Sequence, residues 1–268
     1  MEGMEMETRK DGGLTQIIGE SGDFRTTRHF ALACLIYHAT CTFCRRTCGY
    51  RSDPLGKTSG QMIGAARSAR QNIVEGSTCA GTSRETELRL HDVARGSLAE
   101  LAGDYEAFLT ERNELPWATD DALGRQLDAI PLDAYAGSTG EDARREYTIY
   151  VQKMRKRFEA WLETPDSVLA AKSILRKIDE ADKLLTRHIC VLAEDFRENG
   201  GFRERLTAAR LEWRDNETRA QGTPTCPKCG KPMRRKISSR GSNIGNAFWG
   251  CVDYPQCDGM RTMSCADE

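Results

Sequence analysis

The stretch Asp166-Ser-Val-Leu-Ala-Ala-Lys-Ser-Ile-Leu-Arg-Lys-Ile-Asp-Glu-Ala-Asp-Lys-Leu-Leu-Thr-Arg-His-Ile-Cys-Val-Leu-Ala-Glu-Asp-Phe196 sets the character of this 268-residue chain. Its apolar side chains are Val168, Leu169, Ile174, Ile178, Ala181, Leu184, Leu185, Ile189, Leu192 and Phe196. They recur every three or four residues, the spacing that lines up one face of an α-helix. The pattern predicts one long amphipathic helix starting near Asp166 and interrupted at Gly200-Gly201. A helix of this kind needs partners to cover its apolar face.

Moving toward the N-terminus, the same periodicity returns. Phe30, Cys34, Tyr37, Cys41, Cys44 and Cys48 mark a helix over about 23–48. The run from Gly49 to Gly56 contains Pro54 and reads as a loop. Thr58 and Gln61 fit a capping box that opens a second helix, which carries Met62, Ala65, Ala69, Ile73 and Val74 and ends near Gly76. Thr82 and Glu85 fit another, opening a third helix with Leu88, Val93, Leu98, Leu101, Tyr105, Phe108 and Leu109. Pro116, Pro131 and Gly137 break up the segment 113–165, where Ser138 and Glu141 fit a cap for a helix through Tyr147, Tyr150, Met154, Phe158 and Trp161. Residues 202–214 are again helical in pattern. The expected fold class is mainly α: an antiparallel four-helix bundle over 23–214 with an irregular helical insertion at about 113–165, plus a small C-terminal β ribbon. Residues 1–22 read as a disordered tail, 215–223 as a polar linker, 224–262 as the ribbon and 263–268 as a second tail.

The run Ser59-Gly-Gln-Met62, Ala65-Ala-Arg-Ser68 and Arg70-Gln-Asn-Ile-Val-Glu-Gly76 resembles the signature of the four-helix-bundle proteins encoded in ribosomal-RNA intervening sequences. The accessory variability proteins of diversity-generating retroelements share that fold. Thr82-Ser83, Glu85, Glu87 and Ser97-Leu-Ala-Glu-Leu101 extend the likeness, which covers about 25–110 and, more weakly, 166–212. The resemblance implies a homo-oligomer, commonly a pentameric ring, and in the retroelement branch nucleic-acid binding through a basic surface. Outside 224–268 this chain carries 32 basic and 36 acidic residues, which is no broadly basic surface.

Toward the C-terminus the chain reads Cys226-Pro-Lys-Cys229, a 21-residue gap, then Cys251-Val-Asp-Tyr-Pro-Gln-Cys257. Two close cysteine pairs are the ligand set of a four-thiolate zinc site, so Cys226, Cys229, Cys251 and Cys257 are the expected ligands of one structural Zn2+. Gly230 and Gly250 flank the pairs where turns call for positive φ. Met233 and Ile237 read as one strand, Ile244 with Phe248-Trp249 as another. The Phe-Trp-Gly-Cys and Tyr-Pro-x-Cys runs resemble the zinc ribbons at the C-terminus of type IA DNA topoisomerases, with Asp258-Gly-Met where a basic residue often follows the last cysteine. In that family the ribbons bind single-stranded DNA and do no chemistry.

Charge is concentrated in this segment. Lys228, Lys231, Arg234, Arg235, Lys236, Arg240 and Arg261 face only Asp253 and Asp258 between 224 and 262, while the whole chain has net charge −1. Basic residues interleaved with aromatics suit a polyanion with stackable bases. Lys231, Arg234, Arg235, Lys236 and Arg240 are the expected phosphate contacts. Trp249 or Tyr254 is expected to face the ligand and Phe248 to pack.

Other constellations have simpler readings. Cys34, Cys41, Cys44 and Cys48 follow a helical stripe and read as core rather than as a second metal or redox site. Asn72 and Glu75 read as caps of, or bridges between, neighbouring helices with the arginines as partners, Arg67 and Arg70 as intersubunit pairs or phosphate contacts, and Glu85 and Glu87 as capping and helix-dipole acids. His29, His38, His91 and His188 are dispersed along the sequence, and no Ser/His/Asp set, phosphate loop or HExxH motif occurs. Tyr147 and Tyr150 lack the acidic metal-binding motif and chain length of a topoisomerase. Eleven cysteines, no signal-peptide pattern and no membrane-length apolar run give the expectation of a cytoplasmic chain without membrane partners. The function expected is non-catalytic binding of DNA, preferably single-stranded, or RNA. The alternatives are a structural adaptor, or an accessory subunit of a topoisomerase or reverse-transcriptase-type enzyme.

Overall fold

The computed structural model describes residues 23–49, 52–137, 141–220, 224–238 and 245–263. The expected tail at 1–22, all but Met263 of the expected tail at 263–268, and the sites Ser138, Arg240 and Ile244 lie outside them. Among the described residues the protein is mainly helical, with one small three-stranded sheet near the C-terminus. Packing divides it into two compact units after Phe202.

The first unit begins with a 3-10 turn, Phe24–Thr26, started by the Asp23 carboxylate accepting the Arg25 N–H at 3.0 Å. Helices α1 (Arg28–Thr47), α2 (Lys57–Cys79), α3 (Arg84–Thr110), α4 (Ala122–Asp128), α5 (Ala143–Leu162) and α6 (Ser167–Asn199) follow. Helix α6 starts where its sequence directs. The Asp166 carboxylate accepts the N–H groups of Val168 and Leu169 at 2.9 and 3.1 Å, satisfying two orphan donors of the first turn.

The other helix starts differ from the sequence reading for local reasons. Helix α2 has Gly56 at its N-cap with φ 62°, and no Thr58–Gln61 capping box forms. The Asp53 carboxylate instead accepts from the N–H groups of Ser59 and Thr58 at 2.9 and 3.3 Å. An ionised acceptor from the preceding turn takes the donors that a hydroxyl would have used. Helix α3 is capped by Ser83, one residue later than expected, whose Oγ accepts the Thr86 N–H at 3.2 Å. Helix α2 also continues past Gly76 to Cys79. Gly76 is there for close approach: a Cβ would lie 2.8 Å from His91 Nδ1.

Helices α2 and α3 pack along each other, α3 packs on α6, α6 on α1, and α1 on α2. Leu32 and Ile36 of α1, Ala69 and Ile73 of α2, Leu98, Leu101, Tyr105 and Leu109 of α3, and Ile174 and Leu185 of α6 are essentially inaccessible. Each large side chain among them contributes about 1.5–3 kcal/mol of burial. The segment read as an irregular insertion also joins this core. Leu127 of α4 and Tyr147, Met154, Phe158 and Leu162 of α5 are buried in it. Asp128 of α4 is fixed to α6 by Arg176 (2.7 and 2.8 Å) and by the buried Lys177 (3.3 Å), whose ammonium also meets Glu180 at 2.8 Å.

The cysteine stripe packs as expected. Cys34 and Cys44 are buried, Cys41 and Cys48 half-buried. Asn72 differs from its reading as a bridge between helices. It donates to the Ser68 carbonyl and hydroxyl of its own helix at 3.0 and 3.1 Å. The link to α3 is made by Ser68 itself, which accepts from Ser97 Oγ at 3.1 Å. Arg70 lies over the Tyr37 ring, 4.3 Å from its centroid.

Helix α7 (Phe202–Ala220) lies in the second unit from its second residue on, with strands β1 (Met233–Ile237), β2 (Ala247–Cys251) and β3 (Met260–Thr262). Much of the expected 215–223 linker is therefore helical. The sheet is antiparallel in the order β1-β2-β3, and β3 was not legible in the sequence. Its register sets Met233 opposite Cys251, Arg235 opposite Trp249, and Trp249 opposite Arg261.

Candidate metal centre

The Cys226-Pro-Lys-Cys229-Gly230 segment is a tight turn because Gly230 adopts φ 73° and returns its N–H to the Cys226 carbonyl at 2.9 Å. The Cys226 N–H donates to the Lys231 carbonyl at 2.8 Å and closes the turn onto the strand that follows. The second pair is held by the end of β2 and the turn after it. Cys251 N–H donates to the Gly259 carbonyl at 2.9 Å, and Cys257 N–H to the Asp253 carbonyl at 3.0 Å.

These two turns bring the sulfurs together. Cys226 Sγ lies 3.8 Å from Cys257 Sγ, and Cys229 Sγ lies 3.5 Å from Cys251 Sγ. All four sulfurs fall within 4.8 Å of one another. Four thiolates around a tetrahedral ion at about 2.3 Å have sulfur–sulfur separations of about 3.8 Å, so the cluster is able to hold a metal ion. The Asp253 N–H points at Cys251 Sγ at 3.4 Å, an outer contact that favours a thiolate.

Gly259, which the sequence reading missed, closes the cage. A Cβ there would overlap Cys226 Sγ. Gly250 works differently from its reading as a positive-φ turn residue. It sits within β2 opposite Arg234, and a Cβ would lie 3.0 Å from the Lys236 side chain. The thiols also perturb each other. Cys226 falls to about 7: despite burial, the N–H groups of Lys228 and Cys229 stabilise its thiolate. Cys257 is pushed up to about 12: Gly259 N–H opposes the rise, while hydrogen bonding with Cys229, burial and the other thiols drive it. A cation at the centre would favour the thiolate form of all four.

The apolar core of the sheet is small: Cys226, Met233 and Cys251, with Trp249 and Cys257 packed against them. Trp249 therefore packs on the cysteine turns. The exposed ring is Tyr254, 64% accessible, with Lys236 Nζ 4.8 Å from its centroid. Phe248 is half-buried and lies opposite Lys236 in the register.

The basic side chains divide by partner. Lys231 pairs with Asp253 at 2.9 Å and Lys228 with Asp258 at 2.7 Å. Arg234, Arg235 and Arg261 are exposed. Arg261 comes from β3 and reaches this sheet only through a strand too short to show periodicity.

Fold and site define a mainly helical protein with a C-terminal ribbon whose cysteine cluster is able to hold a metal ion. Comparison with protein-family models, curated proteins and solved structures finds no match to this chain. Among the described residues no helix is long and apolar enough to cross a membrane.

Proposed function

We propose that this chain is a non-catalytic nucleic-acid-binding protein in which a Zn2+ ion in the Cys226, Cys229, Cys251 and Cys257 cluster stiffens a ribbon that grips single-stranded DNA or RNA. The observation that carries this reading is the ribbon's exposed surface. Arg234, Arg235 and Arg261 present cations from two strands, and Lys236 stands over the exposed Tyr254 ring. Cations bind phosphates regardless of sequence, and an exposed ring stacks on any unpaired base. An all-thiolate donor set suits zinc and leaves no open coordination position for chemistry. The helical unit is read as a four-helix bundle with an inserted helix. A separate cleft in it is lined by Arg25, Arg70, Arg144, Arg155 and Glu75 beside Tyr147, with Arg155 paired to Glu163 and Arg25 to Asp23.

A second reading, a protein-docking role, is favoured by one feature. Helix α7 exposes Leu206, Leu211 and Trp213, the last 65% accessible. Such a helix suits a second copy or a protein partner, and an oligomer would gain avidity by presenting several ribbons to one strand.

The test of the nucleic-acid reading is the double substitution Arg234→Ala/Arg235→Ala in the zinc-loaded chain. Affinity for a single-stranded oligonucleotide should fall. The slope of log K against log salt should flatten by about 1.4, which is about 0.7 for each phosphate no longer neutralised. An unchanged affinity and slope would remove this strand from the interface.

A further inference from the structure

Three histidines far apart in sequence converge in the helical unit: His29 in the first turn of α1, His91 of α3 and His188 of α6. One ring nitrogen of each lies within 4.8 Å of one nitrogen of each of the others. The ring centroids are 4.8 Å apart for His29–His188, 4.9 Å for His91–His188 and 6.0 Å for His29–His91. His29 is 5% exposed and His91 0%.

Their hydrogen bonding is incomplete in one direction. His91 Nδ1 donates to the Glu87 carbonyl at 2.8 Å, so its Nε2 presents a bare lone pair. Nε2 of His91 and Nε2 of His29 are both buried without a hydrogen-bond partner. A buried polar atom left bare costs about 1–3 kcal/mol, and two such atoms on rings of one cluster call for a common occupant.

We propose that His29, His91 and His188 bind a divalent transition-metal ion of the Zn2+ class, at a site separate from the cysteine cluster. Imidazole nitrogen is a preferred donor for such ions. The Glu87 carbonyl on His91 Nδ1 is the outer contact that orients a ligating ring and fixes its tautomer. At a metal–nitrogen distance of about 2.0–2.1 Å the three nitrogens would draw in to roughly 3.4 Å, which small ring rotations supply. Gly76 leaves the room that the His91 ring occupies.

Electrostatics agree with neutral rings at His29 and His188. Burial, then the neighbouring His188 and His91, holds His29 down to about 3. Burial, then His91 and Arg84, holds His188 down to about 4. Arg84 is the cation facing the cluster, and its charge is offset by Glu87 at 2.7 Å and Asp195 at 3.2 Å. The ion would clamp the first turn of α1 to α3 and α6. No sequence motif announces it because each helix supplies one ligand.

The test uses the full chain with Cys226→Ser and Cys229→Ser, which removes half of the cysteine site. After dialysis against Zn2+ or Co2+, the expected result is one ion retained per chain. The Co2+ spectrum should show ligand-field bands without thiolate-to-metal charge transfer. Adding the half-buried substitution His188→Gln should abolish retention, with helical circular dichroism unchanged. No retained ion, a thiolate charge-transfer band, or an ion that survives His188→Gln would each overturn the proposal. Should His188→Gln lose helicity, the stoichiometry and spectrum of the cysteine variant decide alone.

Discussion

Glu163, at the end of α5, shows how one side chain ties distant segments and how that tie responds to acid. Its carboxylate accepts from Arg155 (2.9 Å to each oxygen) and from Thr42 of α1 at 3.0 Å. Burial alone would raise its pKa, yet the hydrogen bonds from Arg155 and Thr42 outweigh burial and lower it below the ordinary 4.5. A carboxylate lowered in the folded state stabilises the fold above the unfolded-state value. That contribution is lost as pH falls from about 4.5 through the folded-state value. Glu163→Gln should therefore destabilise the chain by about 1 kcal/mol at neutral pH, since Arg155 is partly solvated, and by less at pH 3. Urea titrations at the two pH values check this. Equal losses at both would assign the effect to packing. At this same scale the sequence was a good guide to the cysteine cluster, whose spacing encodes convergence. It left the choice between Trp249 and Tyr254 open, because nothing in a linear string of aromatics tells which face of a strand meets the sulfurs; Tyr254 is the exposed ring.

At the scale of elements, two glycines mark places where backbone meets side chain. Gly259→Ala would drive a Cβ into Cys226 Sγ, so metal affinity of the ribbon should drop at least tenfold while the helical unit keeps its circular dichroism. Competition with a chromophoric chelator measures it, and an unchanged affinity would mean that the turn relaxes freely. Gly76→Ala would press on His91 within the α2–α3 packing and should cost about 1–3 kcal/mol in thermal unfolding. The elements themselves were largely legible. Asp166 marks the start of α6, and apolar periodicity finds α1, α2, α3, α5 and α6. The starts of α2 and α3 were misplaced because Asp53 and Ser83 compete with Thr58 and Thr82 for the same orphan N–H groups. Strand β3 escaped because three residues, Met260–Thr262, are too few for a pattern, and the strand exists only by pairing with β2.

For the whole molecule, the division after Phe202 separates two sources of stability. The helical unit rests on an extensive apolar core, whereas the sheet buries little beyond Cys226, Met233 and Cys251. On the proposed reading, a ribbon with so small a core would depend on a bound ion. Chelation should therefore unfold the ribbon and leave the helical signal of the first unit in place. Loss of both together would mean that the units are thermodynamically one. The central claim, that the metal-stiffened ribbon grips nucleic acid, is tested most directly by fluorescence anisotropy. The zinc-loaded chain is titrated into a labelled single-stranded oligonucleotide at two salt concentrations, in parallel with the Cys226→Ser/Cys229→Ser chain. The account predicts salt-sensitive binding by the loaded chain and loss of most of it in the cysteine variant. Equal binding by both, or none by the loaded chain, would contradict it.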